Sequence, residues 1–311
     1  MSEFASEELR HLRPGRDTVV TIGNFDGVHL GHRALVQHVM DRARSRDLAA
    51  GVVTLYPDPD RVLRPQEPMR YITSLEERIE LLRALGLDFV ATLNFTSELA
   101  ELPPSTFAGL LRRELGMRLL IMGPNNAFGR NREGTAERMQ AIGAAHGFEV
   151  EVLPEGVVQQ ANLVSATAIR AALAEGDLES AERQLGRRYA LRGPVVHGDE
   201  RGRNIGFPTA NIGVTADRAL PAFGVYATWA HVGEARHASA TNIGMRPTFA
   251  GHELRVEAHL MDFDADLYDQ QIRLEFVERL RPEMKFDGLP AIVAQIGADV
   301  ARAREILAAD E

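Results

Sequence analysis

Residues 21–32 constrain the fold of this chain more than any other stretch. A β-branched run, residues 19–22, gives way to a glycine-containing turn, and apolar residues at helical spacing follow from position 34. This order predicts a strand that leads directly into a helix. The free N–H groups and the positive dipole end of such a helix favour a bound phosphate group.

The first part of the chain continues this alternation as far as Gly186. The predicted strands cover residues 51–56, 89–93, 119–122 and 148–152, and the predicted helices begin at the capping box of Ser74 and Glu77, at residue 107 and after Thr135. Alternating strands and helices predict an α/β, Rossmann-like domain with a doubly wound parallel sheet. Ligands bind to such a sheet at the carboxyl ends of its strands.

The pattern changes after Arg188. Five short β-type runs follow, separated by turn residues, at 189–197, 223–232, 237–243, 254–261 and 272–277. They predict a compact antiparallel sheet or barrel, and residues 289–307 have the spacing of a closing helix. We therefore predict two domains, 1–186 and 187–311.

Composition excludes several classes of function. The chain contains no cysteine, which excludes disulfides, thiolate zinc sites and cysteine nucleophiles. Its 44 acidic and 35 basic residues give a net charge of −9, which disfavours broad nucleic-acid binding. No apolar run reaches transmembrane length and the N-terminus lacks a signal-peptide core, so we expect a cytoplasmic protein without a membrane partner.

The two histidines of the opening stretch are the first candidates for chemistry. His29 and His32 share one face near the helix start, while Gly27 and Gly31 let backbone approach a ligand closely. Two imidazoles at this place can donate hydrogen bonds to phosphate oxygens and stabilise charge during phosphoryl or nucleotidyl transfer. The alternative is a pair of structural histidines beside a turn.

Residues 23–32, Gly-Asn-Phe-Asp-Gly-Val-His-Leu-Gly-His, resemble the His-x-Gly-His nucleotidyltransferases. Within that superfamily they are most similar to the bacterial bifunctional riboflavin kinase/FAD synthetase family. Other similar segments are residues 73–78, 164–170, 185–189, 196–199, 202–211, 242–249 and 262–268. Because these segments span nearly the whole chain, a chance match to one motif does not account for them.

For the first domain, the resemblance implies transfer of AMP from ATP to FMN, which gives FAD and pyrophosphate. The attacking FMN phosphate is already an anion, so positioning and charge neutralisation suffice without a general base. The catalytic residues implied are His29 and His32. The resemblance further implies ATP-binding roles for Gly23, Phe25, Gly31, Ser165, Thr167 and Arg170, and flavin-binding roles for Asn125 and Phe128.

For the second domain, the resemblance implies ATP-dependent phosphorylation of the ribityl 5′-hydroxyl of riboflavin. This nucleophile is neutral, so a positioned base helps. Glu257 matches the family's catalytic glutamate, whereas strand parity alone does not separate it from Glu253. The nucleotide-binding residues implied are Gly202, Gly206, Pro208, Thr209 and Asn211, with Thr209 and Asn211 as oxygen ligands of Mg²⁺. Residues 198–206 would close over the phosphates.

Three positions depart from the family pattern in the first domain. Asp58 stands where the family has a histidine between prolines, Ala166 replaces a serine, and Asn126 replaces an aromatic residue of the flavin loop. There are two alternatives to the bifunctional enzyme, and these changes favour the first of them. One is a riboflavin kinase with a weakened or inactive adenylyltransferase domain, and the other is a non-catalytic flavin- or nucleotide-binding regulator.

Overall fold

The computed structural model of the protein describes residues 2–12, 15–67, 69–154, 164–198, 202, 205–248 and 251–310. The chain divides into two compact units, Met1–Ala166 and Thr167–Glu311. This division falls before the proposed boundary at Gly186. None of the helices in these described ranges is long and apolar enough to cross a membrane.

The first unit contains the predicted doubly wound parallel sheet. Its strands are β1 (Thr18–Gly23), β2 (Ala49–Tyr56), β3 (Phe89–Asn94), β4 (Met117–Met122) and β5 (Glu149–Val152), in the order β3-β2-β1-β4-β5. All four strand pairs are parallel. The helices are α1 (Ser2–Arg10), α2 (Leu30–Ser45), α3 (Pro59–Leu63), α4 (Leu75–Arg83), α5 (Ser97–Ala100), α6 (Pro104–Leu115) and α7 (Ala136–His146).

Local sequence signals explain where these elements begin. The Ser74 hydroxyl accepts from the Glu77 N–H at 3.2 Å and the Glu77 carboxylate accepts from the Ser74 N–H at 2.7 Å, which confirms the predicted capping box. Thr135 caps α7 as predicted. Successive residues of β1 point to opposite faces of the sheet, so Val20 packs in one apolar cluster and Val19 in the other.

Helix α1 was not predicted from the sequence. It buries Leu9 completely and packs against α6 and β3, and the hydroxyl of Ser6 donates to the Glu114 carboxylate at 2.6 Å. A nine-residue segment with so few apolar side chains has a weak helical signal by itself. Tertiary packing therefore stabilises this helix.

The second unit contains a closed antiparallel barrel, which confirms the predicted barrel. Helices α8 (Ala166–Glu175) and α9 (Leu178–Leu185) precede it. The strands are β6 (Ala190–Val196), β7 (Ala210–Ile212), β8 (Gly224–Val232), β9 (Ala235–Thr248), β10 (Gly251–Leu260) and β11 (Gln271–Pro282), in the order β10-β7-β6-β11-β8-β9. Helix α10 (Leu289–Ala308) follows the last strand.

Helix α10 is held on the barrel by an apolar contact and an ion pair. Leu307 is buried in a cluster with Trp229, and just beyond the helix Asp310 accepts from the Trp229 indole N–H at 2.8 Å. Arg188 donates to both carboxylate oxygens of Asp310. These hydrogen bonds raise the pKa of Arg188 and lower the pKa of Asp310 below its usual range.

We expect Asp310→Ala to destabilise the second unit by about 1.5–3 kcal/mol at pH 7, the range for a charged hydrogen-bond pair. Because the pKa of Asp310 is lowered in the folded protein, this contribution is present above the unfolded pKa and is lost as the pH falls through the folded value. Urea unfolding at pH 7 and at pH 3 measures both effects. The matched control is Glu305→Ala, which removes an exposed ion pair with Arg302 on the same helix. The control should cost about 0.5 kcal/mol or less, and an equal loss in both variants would contradict the prediction.

Candidate active sites

The strand order of the first unit creates a crevice between β1 and β4. Doubly wound sheets bind ligands where the order reverses, outside the carboxyl ends of the strands. The register pairs Thr21 of β1 with Ile121 of β4 and Gly23 with Thr54 of β2. The histidine-bearing turn after β1 and the loop 123–134 after β4 therefore leave the sheet side by side.

The turn after β1 brings the two predicted histidines together. Phe25 and Gly27 have φ of 55° and 78°, and residues Asp26–Val28 form a short 3₁₀ turn before His29. His29 then caps α2, because its Nδ1 accepts from the His32 N–H at 3.3 Å. The two rings stack with centroids 3.6 Å apart. Since Nδ1 of His29 is an acceptor, the proton of its neutral ring lies on Nε2.

His32 is less buried overall than His29, but one of its ring nitrogens is shielded from solvent. Its ring centroid is 5.0 Å from that of Phe25, and its Nδ1 is inaccessible to solvent and has no hydrogen-bond partner among the described residues. Burial, and then the nearby His29 and Arg78, lower the pKa of His32 well below its usual value of 6.5. The ring is therefore neutral at pH 7, and an arriving polyphosphate would favour its protonation.

Residues 72–78 hold this turn in place through hydrogen bonds to its backbone and to Asp26. The Asp26 carboxylate accepts from the backbone N–H groups of Ile72 and Thr73, each at 3.0 Å. Arg78, whose side chain is fully buried, donates to the Asn24 carbonyl at 2.8 Å and lies 3.6 Å from Asp26. Asp26 and Arg78 were not among the site residues predicted from the sequence. The available signal was the position of Arg78 on the buried face of α4, three residues after Leu75 and four before Leu82.

The other predicted residues of the first site lie in different environments. Phe25 is only 1% exposed and packs in the core, and a Cβ at Gly23 would lie 3.0 Å from its ring. Phe128 packs against Phe107 at 6.4 Å, and Asn125 is exposed with its carbonyl accepting from Arg132. The remaining positions are simply located: Gly31 is buried in α2, Ser165 is exposed before α8, and Thr167 and Arg170 lie on α8 in the second unit.

Two of the three departures from the family pattern take part in local hydrogen bonds. Asp58 is buried and caps α3, since its Oδ1 accepts from the Asp60 N–H at 2.8 Å. The Asn126 N–H donates to the Gly123 carbonyl at 3.1 Å and closes a turn. Ala166 is the first residue of α8. The Asp58 carboxylate thus accepts a hydrogen bond from one of the free N–H groups at the N-terminus of α3.

Strand register builds the core of the second candidate site. Glu257 of β10 pairs with Asn211 of β7 on one side and with Asn242 of β9 on the other. Residues directly opposite one another share a face, so the three side chains form a row across the barrel wall. The Arg255 guanidinium lies 3.5 Å from Oε1 of Glu257. Asn242 was missed as a candidate, although it lies in a segment that resembles the family.

Glycines in the segment before β7 allow it to pack closely against Asn211 and Thr209. A Cβ at Gly198 would lie 2.2 Å from Nδ2 of Asn211, and one at Gly202 would lie 2.2 Å from the Phe207 carbonyl and 3.4 Å from Oγ1 of Thr209. Gly206 has φ of 86°. Residues 199–201, 203 and 204 of the predicted phosphate loop lie outside the described residues.

Two cavities meet at Thr209, which lines both. The larger, about 530 Å³, has mixed walls, in which Asp264 and Asp266 are polar and Leu260 and Phe263 are apolar. The smaller, about 340 Å³, has apolar walls from α10 and the segment after β11, together with polar groups of Glu257, Asn242, His259 and Arg281. The exposed residue Thr209 therefore lies where a cavity with mixed walls meets a largely apolar one.

Comparisons with known proteins find matches for both parts of the chain. Residues 13–168 match the family model described as FAD synthetase, and residues 185–307 match the one described as riboflavin kinase. The bifunctional riboflavin kinase/FMN adenylyltransferase of Escherichia coli K12 is 38% identical over 297 residues, covering 94% of this chain and 93% of the relative. The Bacillus subtilis protein of the same description is 36% identical, covering 91% and 90%.

A solved structure extends the similarity to the fold. It is described as a macrolide-efflux protein from Streptococcus pneumoniae, has 30% identity and a TM-score of 0.82, and the match covers 94% of this chain and 95% of the other. The two family models and the relatives agree on the family. This chain belongs to the bifunctional riboflavin kinase/FMN adenylyltransferase family.

Proposed function

We propose that this protein phosphorylates riboflavin to FMN in its barrel unit and adenylylates FMN to FAD in its sheet unit, with ATP as the co-substrate of both reactions. The observation that carries the proposal is the position of Thr209 between the two cavities, beside the row that contains Glu257. A phosphate donor and a phosphate acceptor can meet at such a junction. A protein that only binds a flavin does not need one.

In the kinase reaction the 530 Å³ cavity would take ATP and the 340 Å³ cavity would take riboflavin. The apolar walls of the smaller cavity suit an isoalloxazine ring. Glu257, which lines that cavity, would accept the proton of the ribityl 5′-hydroxyl as it attacks the γ-phosphorus. Gly202, Gly206 and Pro208 would form the backbone that borders the nucleotide phosphates.

The same arrangement fits a magnesium ion bound together with ATP. Thr209 and Asn211 supply a hydroxyl and an amide oxygen, which are ligand types that Mg²⁺ accepts. Among the described residues no group of three histidines or carboxylates could hold a metal by itself. ATP phosphates would therefore complete the ligand set, and Mg²⁺ would neutralise their charge.

In the adenylyltransferase reaction His29 and His32 would donate hydrogen bonds to the ATP phosphates while the FMN phosphate attacks the α-phosphorus. No base is required, because the nucleophile is already an anion. Gly23, Phe25 and Gly31 would shape the ATP site, and Ser165, Thr167 and Arg170 would bind the same nucleotide. Asn125 and Phe128 would contact the flavin from the loop after β4.

We place the functional boundary between the two activities near Gly186, at the start of the segment matched by the riboflavin kinase model, residues 185–307. We further propose that the protein acts in the cytoplasm on these small molecules and has no nucleic-acid partner. Its net charge of −9 supports the last point.

Incubation with Mg²⁺, ATP and either riboflavin or FMN tests the proposal, with the flavins separated by chromatography. We expect riboflavin to yield FMN and then FAD, and FMN to yield FAD directly. Accumulation of FMN without FAD would favour the weakened adenylyltransferase. Absence of any turnover would refute both enzymatic functions.

A further inference from the structure

His259 faces the smaller cavity beside the proposed base. It follows Glu257 by two residues on β10, so the two side chains point to the same face of the strand, and both line the 340 Å³ cavity. Nδ1 of His259 lies 2.8 Å from the Pro208 carbonyl oxygen. Because a carbonyl only accepts hydrogen bonds, Nδ1 carries the proton and donates it.

The Pro208 carbonyl belongs to the peptide that enters Thr209. Strand β7 begins at Ala210, where the paired partner on β10 is Ala258, so Thr209 lies just before the β7 ladder. The peptide unit is planar, and fixing its oxygen fixes the backbone direction at the next residue. The hydrogen bond from His259 therefore sets the orientation of Thr209.

The ring of His259 is itself oriented by packing. Its edge-on partner is Phe207, with centroids 5.5 Å apart and planes at 80°. The far end of the Phe207 ring lies 3.9 Å from the point that a Cβ at Gly297 of α10 would occupy. Phe207 is thus placed between the histidine and the closing helix, and this limits rotation of the imidazole.

We propose that His259 is a positioning residue of the kinase reaction, which holds the Pro208 carbonyl through Nδ1–H and so places the Thr209 hydroxyl at a set distance from Glu257. One strand then carries both the base and the group that positions the phosphate-binding residue. The inference rests on the proposed roles of Thr209 and Glu257. It adds a side chain that contacts neither phosphate nor the reacting hydroxyl.

Three substitutions separate the two ring nitrogens. In His259→Asn the amide nitrogen takes the place of Nδ1, in His259→Gln it reaches towards Nε2, and in His259→Leu no donor is left. We expect the Leu and Gln variants to lose about tenfold or more in kcat/KM for Mg-ATP, since a small misplacement at a reacting centre can cost up to about a hundredfold. The Asn variant should keep wild-type kcat/KM within about threefold. Conversion of FMN to FAD should be unchanged in all three, and any change in KM should be larger for Mg-ATP than for riboflavin.

The matched control is His231→Leu, which removes an imidazole from β8 that hydrogen-bonds to Arg273 and lines neither of the two cavities. It should leave kinase kinetics unchanged. Equal activity of the Gln and Asn variants would overturn the proposal. So would a rise in KM for riboflavin without a change for Mg-ATP, because that result indicates direct flavin contact.

Nitrogen NMR of the wild-type protein shows which ring nitrogen of His259 carries the proton. This measurement requires neither an activity assay nor a folded variant. The Nδ1 of His259 should carry the proton at pH 7.5, and protonation of Nε2 alone would overturn the proposal. Thr209→Ala and Glu257→Gln, assayed in parallel, distinguish the two levels of inference. If both keep kinase activity, the proposed site is wrong; if both lose it while His259→Leu does not, only the role of His259 is wrong.

Discussion

We expect His29→Ala to lower FMN-to-FAD conversion by about a hundredfold or more, while riboflavin phosphorylation continues at the wild-type rate. His29 stands at the N-terminus of α2, stacked on His32, and in the proposed reaction its Nε2–H would donate to a phosphate oxygen of ATP. Removing one donor that stabilises developing charge costs about 10²–10³ in rate. Separate assays with FMN and with riboflavin, each with Mg-ATP, measure the two activities.

A second substitution separates phosphate binding from helix capping. Asparagine is a strong N-cap residue, so His29→Asn should preserve the hydrogen bond from the His32 N–H while losing the imidazole donor. It should therefore be as inactive as His29→Ala in FAD synthesis but more stable to thermal unfolding. The matched control is His38→Ala on the same helix, where the ring binds Glu151 away from the turn. Wild-type FAD synthesis by His29→Asn would show that the ring acts only as a cap.

The second large effect is expected for Glu257→Gln, which should reduce riboflavin phosphorylation by about 10²–10⁴-fold, the range for loss of a general base. Glutamine keeps the shape of the side chain and its place between Asn211 and Asn242. The loss should therefore appear in kcat rather than in protein stability. FMN supplied directly should still be converted to FAD, because that reaction needs no base.

Glu278→Gln is the matched control for this substitution. It removes a carboxylate from β11 whose partner Arg302 is 3.9 Å away at an exposed position, and it should leave both activities intact. Wild-type phosphorylation by Glu257→Gln would exclude this residue as the base. Loss of both activities in a folded Glu257→Gln protein would contradict the division of the two reactions between the units.

Strong periodicity and local capping explain why so many elements were predictable. The capping residues Ser74 and Thr135 act on backbone within their own first turn, so their role follows from local sequence. Weakly periodic elements were missed. Helix α1 depends on packing against α6 and β3, and the three-residue strand β7 depends on pairing with β6 and β10.

Several residues at the sites could not be predicted, because the groups that they contact are far away in the sequence. Arg78 lies 54 positions after Asn24 in the chain, yet it donates to the Asn24 carbonyl from inside the core. By sequence His259 is one residue of a strand, and only the fold brings it to the Pro208 carbonyl, 51 positions away. Such contacts join segments that are distant in sequence, and no local pattern encodes them.

By itself the sequence determined the two kinds of domain, the strand-to-helix turn with its histidine pair, and the resemblance that implied two phosphate-transfer reactions. These depend on side-chain period, glycine positions and helix starts, all of which act over a few residues. Only the tertiary structure decided which residues face one another. Strand order brings the loops after β1 and β4 together, and barrel register sets Glu257 between Asn211 and Asn242. Hydrogen bonding between strands depends on alignment of whole segments, which a sequence specifies only through the packing of the complete fold.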